Sequence, residues 1–112
     1  MRVGIGYDVS WRQVEAMLLE AARRTDGLQQ EPAPFVLQKS LGDFTALYQL
    51  NVFSSDADSM NRTYSILHGH IQDVFNEYGV QIMSPNYVAD PAQAKVVPPD
   101  RWYPAPAEPP VV

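Results

Sequence analysis

The stretch from Val3 to Ala22, VGIGYDVSWRQVEAMLLEAA, changes its apolar period part-way along, and the fold is read outward from that change. From Val3 to Tyr7 apolar residues alternate with glycine, so Val3, Ile5 and Tyr7 point to one face of a short strand. Gly4 and Gly6 leave the other face bare. Ser10 then precedes Gln13 by the capping-box spacing, in which hydroxyl and amide satisfy backbone donors reciprocally, so a helix is predicted to start there. Trp11, Val14, Leu18 and Ala21, with Met17 beside them, form one apolar stripe at steps of three and four. Glu20 and Arg24 are spaced to pair on the outer face, and Asp26-Gly27 supplies the stop.

Downstream, Glu31-Pro32-Ala33-Pro34 reads as a stiff loop, because each proline fixes its own dihedral and restricts the residue before it. Phe35 to Leu41 and Asp43 to Phe53 are strand-like, joined by a turn at Leu41-Gly42-Asp43. The second strand puts Phe44, Ala46, Tyr48, Leu50 and Val52 on one face. Polar Ser55 to Ser59 introduces a second helix that Asp56 or Asp58 can cap. Met60, Tyr64, Leu67, Ile71, Val74 and Tyr78, with Phe75 adjacent, keep helical spacing until Gly79. Val80 to Met83 is a last short strand closed by Ser84-Pro85, and Asn86 to Ala94 continues it irregularly. From Pro98 to Val112 six prolines exclude a ladder or a helix, so the end of the chain is read as extended.

The order strand, helix, strand, strand, helix, strand is that of an α+β, ferredoxin-like split βαβ sandwich (βαββαβ), with both helices on one face of a mixed or antiparallel sheet. Residues 2–90 are assigned to this domain and 91–112 to a proline-rich tail. The fold serves many unrelated tasks and does not decide function.

Composition narrows the function. The 112 residues suit one domain, and the formal charge of -5, with scattered Lys and Arg, disfavours a nucleic-acid partner. The chain has no cysteine, which removes thiolate catalysis, disulfides and cysteine-ligated zinc together and suits a reducing compartment. Neither a signal peptide nor a transit peptide is legible at the N-terminus, and no apolar run approaches the roughly 20 residues of a membrane-spanning helix. The immediate entry into a strand suggests that Met1 begins a fragment.

Particular words then add what periodicity cannot. Gly4-Ile5-Gly6-Tyr7-Asp8, Trp11-Arg12-Gln13-Val14 and Leu18-Leu19-Glu20-Ala21-Ala22 resemble the opening of the C-terminal α/β domain of small-conductance mechanosensitive (MscS-type) channels. Pro34-Phe35-Val36-Leu37, Gly42-Asp43-Phe44, Tyr48 with Leu50-Asn51-Val52, and Ile71-Gln72 before Phe75-Asn76-Glu77 are similar to its middle. Gly79-Val80, Ile82-Met83 and Ser84-Pro85 resemble its close. Gln49, Ile66 and His70 depart from the family pattern, which bears on local surface charge and portal selectivity rather than on the fold. The resemblance implies a soluble wall segment of a heptameric cage of identical subunits, on the cytoplasmic side of the inner membrane, with a structural role in ion transport. The membrane is reached only through segments outside this sequence, and no gating or pore-lining residue can be carried over. The surfaces expected to meet identical neighbours are the sheet face opposite the helices, the strand edges, and the segment from Ser84 to Val97, represented by Ser84, Pro85, Asn86, Tyr87, Val96 and Val97.

Rival chemistries find little support. His68 and His70 point about 200° apart on a helix, and His70, Asp73 and Glu77 on one helical face read as a solvated surface rather than metal ligands. Asp56 and Asp58 lack the pattern of a calcium loop and read as helix caps. Asn61-Arg62-Thr63 has the form of a glycosylation acceptor without a secretory signal, and Gly4 and Gly6 do not make a phosphate-cradling loop. Arg12 and Asn51 read as a surface contact and a sheet-edge hydrogen bond rather than as acyl-phosphatase-like machinery. The expectation is therefore a non-enzymatic module with no metal and no cofactor, its rival a stand-alone ferredoxin-like small-molecule sensor or regulatory assembly module. Trp102 and Tyr103 in the tail either pack on a neighbouring surface or stand exposed, and the prolines around them have the composition of a polyproline ligand.

Overall fold

The computed structural model describes residues 1–54, 57–83 and 95–110. Strand β1 (Arg2–Gly6) leads into helix α1 (Trp11–Arg24), strands β2 (Phe35–Leu41) and β3 (Thr45–Asn51) form a hairpin, and helix α2 (Met60–Glu77) precedes strand β4 (Ile82–Met83). The sheet order is β2-β3-β1-β4 and every pairing is antiparallel, which is the ferredoxin-like arrangement without a parallel pair.

The alternation in β1 decides which face is covered. Val3 and Ile5 stand opposite Tyr48 and Ala46 of β3, and all four are buried with Leu50. The helices supply the matching side: Val14, Met17, Leu18, Ala21 and Ala22 from α1, and Leu67, Ile71, Val74 and Phe75 from α2, join one apolar cluster with these strand residues. Burying a side chain of this size contributes roughly 1.5–3 kcal/mol, so the cluster dominates the stability of the domain.

Both helices end where their local chemistry dictates. The Ser10 hydroxyl accepts from the Arg12 amide at 3.3 Å, capping α1 without the reciprocal Gln13 bond of a full box. Its C-terminus is closed by Thr25, whose amide donates to the Ala22 carbonyl and whose hydroxyl donates to the Ala21 carbonyl at 2.9 Å. Helix α2 starts from a short 3-10 helix, Ala57–Ser59, which holds Asp58, one of the two expected caps; the other, Asp56, lies outside the described residues. At its other end Gly79 takes a φ of 69°, its amide donates to Asn76 O, and the Val80 amide donates to Phe75 O. That pair of bonds is a Schellman motif, and the left-handed residue within it favours glycine.

The motif corrects the last strand. Val80 was expected to open β4, but its amide is committed to the helix cap and its side chain to the core, so pairing begins only at Ile82. Three aromatic residues also leave the stripes assigned to them. Trp11, the first residue of α1, is 41 % exposed, with the Arg12 guanidinium 4.3 Å above its ring. Tyr78 falls on the cap of α2 and Phe44 in the β2–β3 turn, and both are exposed. The end of the chain also holds helical structure, a 3-10 helix at Pro99–Arg101, because proline is tolerated in a first turn where its missing amide has no partner to lose.

An ion-pair chain ties the helices together on their outer side. Glu20 binds Arg23 at 2.7 Å and Arg24 at 2.8 Å, and Arg24 crosses to Glu77 of α2 at 3.0 Å. The hydrogen bonds from Arg23, then Arg24, hold the Glu20 carboxyl below its ordinary value of 4.5. A carboxylate with a depressed folded-state pKa stabilises the fold above its unfolded pKa and loses that contribution as pH falls through the folded value. Replacing Glu20→Gln should therefore lower the melting temperature slightly at neutral pH, and the difference from wild type should vanish well below pH 4.5. A difference that persists in acid would assign the effect to packing rather than charge.

Candidate functional site

With both helices on one face, the other face of the sheet is open, and its side chains follow from the register. Across it lie Phe35 beside Asn51, Leu37 beside Gln49 and Arg2, Ser40 beside Leu47 and Gly4, and then Met83 on β4. Gly4 and Gly6 give this face no side chain of their own. The Met83 sulfur occupies the space beside Gly6, 3.3 Å from where a Cβ would stand. A depression of about 450 Å³ remains, lined by Arg2, Gly4, Ser40, Thr45, Leu47 and Met83 among others.

The polar residues on this face are linked in a fixed direction. Arg2 Nε donates to Gln49 Oε1 at 3.2 Å, so the Gln49 amide nitrogen is turned to donate to Asn51 Oδ1 at 2.8 Å. A guanidinium can only donate, which sets the orientation of both amides. Asn51 Nδ2 is then left buried without an acceptor. Asn51 thus bonds sideways to Gln49 along its own strand, and Arg12 stacks on Trp11, so the two residues take no part in a common site.

Strand β2 is the edge of the sheet and is exposed along most of its length, including Phe35 at 44 % and Leu37 at 43 %. An apolar edge of this kind is a template for another chain. A register shift at Lys39 interrupts it before the turn, where Leu41 is 74 % exposed. The turn itself is held rigidly. Gly42 N donates to Thr45 O at 2.8 Å, and the Tyr7 hydroxyl donates to Gly42 O at 2.6 Å and lies 3.2 Å from Thr45 O. Tyr7 was expected within β1; it lies just past the strand and acts as a clamp on the neighbouring hairpin. A Cβ on Gly42 would stand 3.1 Å from Thr45 O, so glycine serves close approach in this turn. Behind it, burial, with Tyr7 nearby as a lesser cause, pushes the Tyr48 phenol above its ordinary range.

A comparison with protein families now bears on this surface: the model described as mechanosensitive ion channel MscS, C-terminal, matches residues 1–82. The chain belongs to that family. The match opens with β1 and ends inside β4, so the sheet with its open face and edge lies almost entirely within the MscS domain. A search of curated proteins gives no match. No helix among the described residues is long and apolar enough to cross a membrane.

The sequence-assigned contact residues divide. Ser84, Pro85, Asn86 and Tyr87 lie outside the described residues. Val96 is half-buried and Val97 exposed, beside the C-terminal end of α2. The weighed ligand groups do not converge: His68 stacks on Tyr64, Glu77 is paired with Arg24, and among the described residues no three acidic or histidine side chains gather as a metal site would require. Sequence reading missed the Tyr7 clamp, because a tyrosine in period with Val3 and Ile5 is indistinguishable from a core residue until the turn is placed beside it.

The clamp gives a direct test. Tyr7→Phe, which keeps the ring, should lower stability by about 1 kcal/mol, seen as a shift in the denaturant midpoint at constant slope. An unchanged midpoint would mean that the hairpin holds its shape without the hydroxyl.

Proposed function

We propose that this MscS domain is a wall segment of a cage built from identical subunits, heptameric by resemblance to its family, standing on the cytoplasmic side of the membrane and acting structurally rather than as an enzyme. The observation that carries the reading is the one-sided sheet: helices bury one face, while the other presents Phe35, Leu37 and Leu47 beside an apolar edge strand. Exposed apolar side chains set among polar ones, as Phe35, Leu37 and Leu47 are among Arg2, Gln49 and Asn51, suit an interaction surface. A ring requires that one patch meet a different patch under a rotation that closes. The open face carries the Arg2 guanidinium beside Gln49, with the Asp8 carboxylate next to Gly6 at its other end. The compact domain at 2–90, the tail at 91–112, and contacts through Ser84, Pro85, Asn86, Tyr87, Val96 and Val97 belong to the same proposal.

The depression on the open face favours one rival, a small-molecule sensor, because Arg2, Ser40 and Thr45 bring polar groups to an apolar floor. Sedimentation over a wide concentration range separates the two. The chain should be monomeric or weakly associated when dilute and form oligomers when concentrated, and Leu37→Glu should suppress that association at least tenfold with an unchanged melting temperature. A chain that stays monomeric throughout, yet gains several degrees of thermal stability from one small molecule in a screen, would replace the cage with the sensor.

A further inference from the structure

The C-terminal segment is fastened to the domain in a way that composition does not announce. Beyond β4, the Lys95 amide donates to the side chain of Gln81 (Oε1, 2.9 Å) and the Val97 amide donates to that of Asn76 (Oδ1, 3.1 Å). Two alternate backbone donors are therefore taken up by two side-chain carbonyls, as the edge of a strand would take them up. The orientation of both amides is fixed by chemistry, since a backbone N–H only donates and each must meet the oxygen end of its partner. Val97 is held from its other side as well, because the Trp102 indole N–H donates to its carbonyl at 2.8 Å. The intervening 3-10 helix brings that indole back: Arg101 N donates to Pro98 O and Trp102 N to Pro99 O.

We infer that Asn76 and Gln81 form an amide clamp that fixes the point and direction in which the chain leaves the domain, with Trp102 locking the clamped segment through the Val97 carbonyl. Both clamp residues sit on rigid supports. Asn76 lies in the last turn of α2, with its own backbone carbonyl in the Schellman motif, and Gln81 stands immediately before β4. The tail thus moves with the helix and the sheet up to Trp102, and whatever follows is aimed by the domain rather than tethered loosely to it. The separable segment expected from Pro98 onward begins after Trp102, and it holds a turn in which Ala107 N donates to Pro104 O at 2.9 Å.

Amide hydrogen exchange on the whole chain, resolved by residue, tests the clamp. The Lys95 and Val97 amides should exchange more slowly than unstructured amides. Asn76→Leu, of similar size but without an acceptor, should speed exchange at Val97 about fivefold or more while leaving β1 and β3 unchanged, and Gln81→Leu should do the same at Lys95. Asn76→Asp retains the acceptor and should restore protection at Val97. Unprotected amides at 95 and 97 in the wild type would overturn the inference, as would substitutions that leave them unaffected or that accelerate the whole domain equally. Exchange is read on the dilute monomer, where subunit contacts through Val96 and Val97 add no protection, so the clamp and the cage stand or fall separately.

Discussion

The structure depends on the position of β1 between β3 and β4, with two unlike faces. Val3 and Ile5 need a cover, and two amphipathic helices on the same side supply it. Gly4 and Gly6 supply nothing to the other side, so the open face is shaped by residues of neighbouring strands: Leu47 from β3, Met83 from β4, and Phe35 and Leu37 from the edge strand β2. A side chain on Gly6 would stand 2.9 Å from Asp8 Oδ1 and 3.3 Å from the Met83 sulfur, both flexible ends. The glycines therefore set the contour of the surface more than they permit the fold.

The peripheral devices follow from this layout. Because β2 is the edge strand and exposed along most of its length, it has little core to hold it, with Val36 its partly buried apolar anchor. Its register and its turn rest on pairing with β3 and on the Tyr7 hydroxyl. At the other edge β4 is only two residues long, and the chain leaving that side of the domain is gripped at Lys95 and Val97 by amides from the end of α2 and the start of β4. Side-chain hydrogen bonds thus perform at both edges what the apolar cluster performs in the middle.

Much of this was legible in the sequence, and the failures share a cause. The periods of 2 and 3.6 located both helices, the hairpin and the ferredoxin-like order, because apolar spacing reports burial directly. It misjudged Tyr7, Trp11, Phe44 and Tyr78, each an aromatic residue in phase with a stripe but at the end of its element, where the backbone has already turned away. Val80 failed for a related reason: its amide had two claims on it, and the helix cap won over the ladder. The open face was foreseeable from Gly4 and Gly6. The orphaned Asn51 amide and the grip on Val97 were not, because both depend on residues far apart in the chain.

A cage wall requires that the open face be buried between copies of the chain. These 112 residues contain no cysteine, so Leu37→Cys adds the one thiol of the domain, to be read against the same protein without that substitution. In the protein as assembled in its native membrane, that cysteine should become shielded from thiol reagents and form cross-links between subunits through a short bifunctional linker. A cysteine at position 37 that reacts as fast in the assembly as in the isolated chain, with no cross-linked species, would contradict the assignment of this face to the cage wall.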